Sequence, residues 1–187
     1  MKFARLAVLI SVVLLGIPAV GQKVLKAKLA GLRETPIVVT EGRGTARLVI
    51  SNDEKSINYE LTYSGLEGNT VPTGQVLFAH VHVGRHTIAG GVAVFFCGGG
   101  NTTVTQAACP VSGTVSGTWT SADVVGPVSQ GIDPASQGAD AAFARFVSEV
   151  KAGLSYANVH TTRSPAGEIR GQLLARGHGH GKDEDHH

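Results

Sequence analysis

The chain has 187 residues with 16 basic and 14 acidic side chains, a formal net charge of +2. This near balance argues against a surface that binds nucleic acid or an anionic membrane, because such surfaces need a clear excess of lysine and arginine. The length suits a single domain with its own hydrophobic core.

The first 21 residues have the composition of a secretory signal peptide. Lys2 and Arg5 precede an apolar run over residues 6–15, and small residues stand before the expected cleavage site after Gly21. Cleavage there leaves 14 basic and 14 acidic side chains and predicts a secreted or periplasmic protein. The alternative is an uncleaved membrane anchor, but the run is well short of the ~20 residues that a spanning helix needs. No membrane span is predicted in the mature chain.

Most of the remaining chain consists of short apolar runs separated by turn residues. This pattern predicts an all-β domain over residues 22–175, folded as a sandwich. The predicted strands are 26–30, 45–50, 57–63, 76–83, 92–96, 115–120, 155–162 and 168–174. The segment Ser164-Pro165-Ala166-Gly167 is expected to turn the last hairpin, since proline presets φ and glycine closes the turn.

Cys97 and Cys109 are the two cysteines of the chain. In an exported protein we expect a disulfide between them, closing a glycine-rich loop. A thiol pair for metal or redox chemistry is the alternative, but it calls for a closer Cys-x-x-Cys spacing. Asn101 within this loop begins an Asn-Thr-Thr sequon, which matters only in a host that glycosylates exported proteins.

One segment, residues 139–151, departs from the β pattern. Its apolar residues recur at helical spacing, namely Phe143, Phe146, Val147 and Val150. Gly153 follows as a stop signal, so we predict one amphipathic helix whose phenylalanines belong to the core. The preceding residues 123–137 are rich in glycine, proline and serine and are predicted to form a surface loop.

The C-terminal segment, residues 176–187, has no run of apolar residues to bury and is predicted to be disordered. It carries four histidines, His178, His180, His186 and His187, together with three acidic residues. These side chains are enough for loose chelation of Zn²⁺, Cu²⁺ or Ni²⁺. The alternative is a charged, solvated tail that keeps the protein soluble.

Two histidine-bearing segments carry a resemblance to a known family. They read Ala79-His80-Val81-His82-Val83-Gly84 and, over residues 151–161, Lys-Ala-Gly-Leu-Ser-Tyr-Ala-Asn-Val-His-Thr, followed by Pro-Ala-Gly-Glu-Ile-Arg-Gly-Gln-Leu over residues 165–173. With residues 28–36 and the strand end at 59–65, they resemble the CHRD domain, first recognised in chordin. The resemblance covers nearly all of the mature chain apart from the tail.

The resemblance implies a fold rather than a reaction. It implies a β-sandwich or barrel related to immunoglobulin-like and Cu/Zn superoxide dismutase folds, which we expect here as a Greek-key sandwich with one helix. In chordin such domains belong to an extracellular antagonist of bone morphogenetic proteins. The cysteine-rich modules of that protein are absent from this sequence, so the resemblance carries no growth-factor binding over to it.

The strand-borne histidines are the place where site chemistry could converge. Residues two apart on a strand share a face, so His80 and His82 point the same way. If the last hairpin lies beside strand 76–83, His160 joins them. Three neutral imidazoles can hold Zn²⁺ or Cu²⁺ and leave one coordination position open.

A structural network is the alternative for the same face. Asn158, Glu168 and Arg170 could share hydrogen bonds with His80, His82 and His160, because buried polar groups must be satisfied. The sequence leaves both interpretations open.

Catalysis finds little support in the sequence. The His-x-His pair is similar to copper ligation in Cu/Zn superoxide dismutase, but the bridging histidine and zinc loop are missing and His86 is the one spare histidine nearby. No nucleophile elbow, phosphate-binding glycine motif or carboxylate pair is evident. We therefore expect a non-enzymatic module that binds an extracellular or envelope protein, with a metal-binding protein as the alternative.

Overall fold

The computed structural model describes residues 22–66 and 75–175. Two expectations from the sequence, the signal peptide over residues 1–21 and the histidine-rich tail over residues 176–187, lie outside the described residues. Within the described ranges, no helix is long and apolar enough to cross a membrane.

Short strands dominate the described chain. The strands are β1 (Lys23–Ala30), β2 (Arg43–Ile50), β3 (Ile57–Ser64), β4 (Val76–Val83), β5 (Gly91–Cys97), β6 (Gly113–Trp119), β7 (Ser155–Thr161), β8 (Ile169–Gln172) and β9 (Leu174–Ala175). The helices are α1 (Pro134–Gln137) and α2 (Ala139–Lys151). The last predicted strand is divided in two at Leu173, and the predicted loop 123–137 contains one short 3-10 turn (Val128–Gln130) as well as α1.

All the strands belong to one antiparallel sheet, in the order β5-β4-β7-β8-β1-β2-β3-β6, with β9 pairing with β1 outside this path. The two ends of the sheet approach each other, since the Trp119 indole on β6 donates a hydrogen bond to the Phe95 carbonyl on β5 at 2.8 Å. The sheet is therefore nearly closed into a barrel.

The prediction of a mostly β fold with an amphipathic helix is confirmed. The structure differs from the expected Greek-key sandwich in having a single continuous sheet instead of two. The physical reason is that alternation reports which side chains face the core, and this is the same in a sandwich and in a barrel.

A single hydrophobic core fills the barrel, and α2 covers one part of it. Phe143 and Phe146 of α2 are buried, as predicted, and the Phe146 ring lies 6.5 Å from that of Trp119. Gly153 follows the helix with a φ of +73°, a left-handed conformation that glycine adopts without strain. The predicted helix and its stop signal are thus both confirmed.

The Cys97–Cys109 disulfide is present, as predicted. Within the loop that it closes, the Asn101 side chain accepts hydrogen bonds from the Thr103 and Val104 amides at 2.8 and 2.7 Å. Its amide nitrogen donates to the Ala122 carbonyl at 2.8 Å. The asparagine of the sequon is therefore part of the loop's internal hydrogen bonding.

Candidate metal centre

The site is built on the neighbouring strands β4 and β7, which pair antiparallel. Their register sets Phe78 opposite His160, and His80 opposite Asn158. A bulge between Val76 and Phe78 shifts the register by one residue at the start of β4. The two histidine-bearing strands are therefore neighbours in the sheet, as the convergence of the three histidines requires.

The three histidines lie on the outer face of the sheet, opposite the core. Alternate residues of the two strands, Ala79, Val81, Val83, Ala157 and Val159, face inward and belong to the hydrophobic core. Because side chains alternate along a strand, His80, His82 and His160 face outward. They are nevertheless only 3 %, 8 % and 6 % exposed.

Connecting segments cover this outer face and explain its burial. The loop over residues 84–90 lies against it, with the Gly90 carbonyl 2.8 Å from His82 Nδ1 and the Gly90 amide donating to the Tyr156 hydroxyl at 3.0 Å. The turn before β8 adds the Pro165 carbonyl, 2.9 Å from His160 Nδ1. The outer face is therefore a second buried region, separate from the core.

The three imidazoles converge on one point. Their nearest potential ligand nitrogens all lie within 4.8 Å of one another. The His80 ring centroid is 4.4 Å from that of His82 and 4.5 Å from that of His160. Within the described ranges, this is the one group of three or more His, Cys, Asp or Glu side chains with the spacing of a metal site.

Hydrogen bonding fixes the tautomers of two of these rings. A carbonyl oxygen can only accept, so His82 Nδ1 and His160 Nδ1 must each carry the proton donated to Gly90 and Pro165. In the neutral ring the Nε2 atom is then unprotonated and carries a lone pair. Both Nε2 atoms are buried and have no hydrogen-bond partner, and the same is true of His80 Nδ1.

Burial keeps the imidazoles neutral. It lowers the pKa of His80 to about 2, with the neighbouring His82 and His160 adding to the effect. It lowers the pKa of His82 to about 4, although the Gly90 carbonyl works in the opposite direction. The pKa of His160 is also lowered by burial, against the effect of the Pro165 carbonyl. Three uncharged imidazole rings are therefore available as metal ligands at neutral pH.

Aromatic rings surround the cluster. Phe78 lies 4.9 Å from His160 and 5.4 Å from His80 between ring centroids, and Phe95 approaches His80 edge-on at 5.2 Å. Tyr156 stacks on His82 at 4.7 Å with an interplanar angle of 11°. These contacts hold the imidazole planes and keep the cluster in apolar surroundings.

A polar network borders the cluster on β7 and β8. Asn158 donates to Glu34 Oε1 at 2.6 Å and to the Ile169 carbonyl at 3.0 Å. A Cβ atom at Gly167 would lie 2.8 Å from both the Asn158 amide and the Glu34 carboxylate, so glycine is required where these groups meet. Burial raises the pKa of Glu34 to about 7, although the bond from Asn158 acts to lower it.

The other members of the expected network bond away from the unpartnered imidazole nitrogens. Glu168 accepts from the Thr40 and Thr161 hydroxyls at 2.8 and 2.6 Å. Arg170 donates to the Ile88 carbonyl at 3.2 Å, and its guanidinium carbon lies 3.9 Å from the centroid of the Tyr156 ring. The network therefore borders the histidines but leaves their three buried nitrogens unsatisfied.

The chemistry of this donor set fits a transition metal ion. Imidazole nitrogens bind zinc, copper and nickel, and a second-shell carbonyl on Nδ1 is the usual device that orients a histidine ligand. An ion held at about 2.0 Å by three nitrogens would separate them by about 3.5 Å. The ligand nitrogens lie up to 4.8 Å apart, so binding of an ion would draw the rings together.

Sequence reasoning identified the three histidines but missed part of their surroundings. Glu34 lies in a loop 124 positions from its partner Asn158, and no local pattern connects them. Phe78 and Tyr156 were not missed, because alternation along the strands places them on the faces of the predicted histidines, and both contact the cluster. The tail histidines lie outside the described residues, so chelation by the tail stays a prediction.

Comparison with known protein families matches residues 25–173 to the CHRD domain. The match begins within β1 and ends just before β9, so it spans the candidate metal centre and the disulfide. No curated protein and no solved structure matches the chain. The likeness to immunoglobulin-like and Cu/Zn superoxide dismutase folds therefore stays a prediction.

Proposed function

The chain belongs to the CHRD domain family, and on that basis we propose that it is a non-enzymatic binding module of an exported protein. Its ligand is a first-row transition metal ion, zinc or copper. The ligand side chains are His80, His82 and His160. The carbonyls of Gly90 and Pro165 orient the rings of His82 and His160, respectively, by accepting a hydrogen bond from each Nδ1 atom.

One observation carries the proposal: the buried Nε2 lone pairs of His82 and His160, which have no hydrogen-bond partner. A buried polar atom without a partner costs about 1–3 kcal/mol. A histidine kept only to satisfy neighbours would use both nitrogens, as buried polar groups do in most proteins. A metal ion supplies the missing partner for all three rings at once.

Two further observations support binding in an exported protein. The ligand nitrogens are enclosed, which favours retention of an ion over the access that a substrate needs. The Cys97–Cys109 disulfide favours an oxidising compartment, because reducing compartments keep such pairs as thiols.

The test is the metal content of protein purified without a metal-affinity column. The full chain is compared with a full-length variant in which the four tail histidines, His178, His180, His186 and His187, are replaced by asparagine. Mass spectrometry then gives the metal-to-protein ratio after dialysis and after reloading with Zn²⁺ or copper. A third protein, His82→Gln in the tail variant, removes one ligand, and His86→Gln is its control because His86 is an exposed histidine nearby.

The proposal expects about one ion per chain in the tail variant, none in the His82→Gln variant and an unchanged ratio in the His86→Gln variant. Metal bound only by the chain with its native tail would assign chelation to the tail and contradict the proposal. No retained metal in any of these proteins, after reloading with both metals, would also contradict it.

A protein-binding role is a second candidate, favoured by exposed apolar side chains. Leu32, Ile37 and Val39, all in the segment between β1 and β2, are 71 %, 63 % and 82 % exposed. Isolated exposed apolar residues are common, but a group in one segment is typical of an interaction site. Replacing the three with serine should weaken binding of a partner identified with the native chain and leave its metal content unchanged; binding that is insensitive to them would contradict this role.

A further inference from the structure

We propose that the three-histidine centre selects copper in its monovalent state, Cu⁺, over Zn²⁺ and Cu²⁺. This inference rests on the proposed function, since it names the ion that the same site prefers. Three properties of the site carry it: the charge of its ligands, the charge of its neighbours and the number of ligands that the enclosure can supply.

The ligands bring no negative charge. Within the described residues, the metal-site group consists of His80, His82 and His160, with no carboxylate or thiolate. A divalent ion bound to it would therefore keep its full charge in a buried, aromatic environment. The cost of burying an ion grows with the square of its charge, so a divalent ion costs about four times as much as a monovalent ion of similar size.

The nearest charged groups do not offset a second positive charge at the cluster. The Arg170 guanidinium stacks on Tyr156, whose ring stacks in turn on His82, so a cation lies on this side of the site. The carboxylates of the region have partners other than the imidazoles: Glu34 accepts from Asn158 and interacts with Arg170, and Glu168 accepts from the hydroxyls of Thr40 and Thr161. The local field therefore favours the lower charge.

The enclosure also favours an ion that accepts three ligands. Zn²⁺ in proteins is almost always four-coordinate, so it would need a water or an anion as its fourth ligand. Phe78 and Phe95 pack against the imidazoles and have no atom that can fill that position. The hydroxyl of Tyr156, whose ring stacks on His82, is already engaged by the Gly90 amide. Cu⁺ is stable with two or three nitrogen ligands, which the three histidines provide.

The experiment compares the affinities of three ions in the full chain with the four tail histidines replaced by asparagine. Cu⁺ is measured anaerobically with ascorbate against a chromophoric Cu⁺ chelator, and Zn²⁺ and Cu²⁺ against their own chelators. We expect a 1:1 complex with Cu⁺ that is at least about 100-fold tighter than with either divalent ion. For copper, that ratio corresponds to a reduction potential raised by about 120 mV.

A variant pair tests the charge argument directly. Phe78 is half-buried and its ring lies beside His80 and His160, so Phe78→Asp places a carboxylate next to the cluster. Phe78→Leu removes the same ring without adding charge and is the matched control. We expect the ratio of Cu⁺ to Zn²⁺ affinity to fall at least tenfold in Phe78→Asp relative to Phe78→Leu.

The outcomes separate this inference from the proposed function. Tighter Cu⁺ binding together with the shift in Phe78→Asp supports the inference. Binding of Zn²⁺ or Cu²⁺ at this site as tightly as Cu⁺, or equal affinity ratios in the two Phe78 variants, overturns the preference for Cu⁺ and leaves a metal site. Binding of none of the three ions by the tail variant overturns both.

Discussion

The inner and outer faces of the β4–β7 strand pair are both buried, but for different physical reasons. The inner face carries Val81, Ala157 and Val159, which pack into the core and have no polar atoms to satisfy. The outer face carries His80, His82 and His160, which loops cover and whose nitrogens remain partly unsatisfied. Burial stabilises the inner face and costs free energy on the outer one.

The difference indicates what each face is for. Apolar side chains of the same size would cover the outer face at lower cost, because they leave no buried donor or acceptor unpaired. A buried face that keeps an unfavourable composition is more simply explained by a ligand than by stability.

The largest effect is expected when the pH of the metal-free protein is lowered from 6.5 to 4.5. The folded-state pKa values of His80 and His82, about 2 and about 4, lie below the unfolded value of 6.5, so the unfolded state binds protons first and the folded state loses stability. Each histidine contributes about 1.4 kcal/mol per pH unit. Chemical denaturation at several pH values should show a net loss of about 3 kcal/mol, and no loss across this window would contradict the buried neutral imidazoles.

Glu34 provides the control for that experiment because its pKa moves the other way. Burial raises its folded-state pKa to about 7 from 4.5, so between these values the folded state holds a proton that the unfolded state releases. Its contribution to stability therefore increases as the pH falls and offsets part of the histidine effect. The Glu34→Gln variant should lose the offset and show a steeper decline, by about 1.4 kcal/mol per pH unit.

The next change, His80→Leu on the outer face, should move metal affinity and stability in opposite directions. His80 Nδ1 is buried without a partner, so His80→Leu removes an unsatisfied atom and should raise the free energy of unfolding of metal-free protein by about 1 kcal/mol at neutral pH. The same change should weaken metal binding at least about 100-fold, because one of three ligands is lost. Denaturation and metal titration check the two halves, and a variant that loses stability but keeps its metal affinity would contradict the account.

The matched inner-face change should behave in the opposite way. Val159 is fully buried in the core beside His160, and Val159→Ala should destabilise the fold by about 2 kcal/mol through the cavity it leaves. Its metal-to-protein ratio should stay at one. Loss of metal in a Val159→Ala protein shown to be folded would mean that the two faces are not independent.

The smallest effect is expected from a change at Tyr156, which bonds to the loop that covers the outer face. The Tyr156 hydroxyl accepts a hydrogen bond from the Gly90 amide, and the Gly90 carbonyl in turn orients His82. Tyr156→Phe keeps the ring stacked on His82 but leaves that amide unpaired, which should cost about 1 kcal/mol. Metal affinity should fall less than about tenfold. An effect as large as that of His80→Leu would mean that the hydroxyl itself acts as a ligand.

Much of the fold was predictable because local patterns of apolar and polar residues determine it. Alternation along β4 and β7 identified the strands, and the spacing of Phe143, Phe146 and Val150 identified α2. The partner of each strand was less accessible. Near closure of the sheet depends on the contact between Trp119 and Phe95, two residues whose proximity no local pattern encodes.

The ligands of the candidate site were predictable from the sequence, but the loops that cover them were not. His80 and His82 share a face by alternation, and the resemblance to the CHRD domain drew attention to His160. That these residues are buried on the outer face depends on loops whose positions are set by tertiary contacts, such as Glu34 with Asn158 and Gly90 with His82. The unsatisfied Nε2 atoms, which favour a metal over a structural network, become visible only in three dimensions.

A crystal of the protein loaded with copper or zinc, measured at the absorption edge of that metal, tests the central claim most directly. The account predicts a single anomalous peak between His80, His82 and His160, about 2.0 Å from one nitrogen of each ring and, for His82 and His160, from Nε2. An anomalous peak held by other residues would contradict it, as would rings that stay unliganded in crystals whose protein contains one ion per chain.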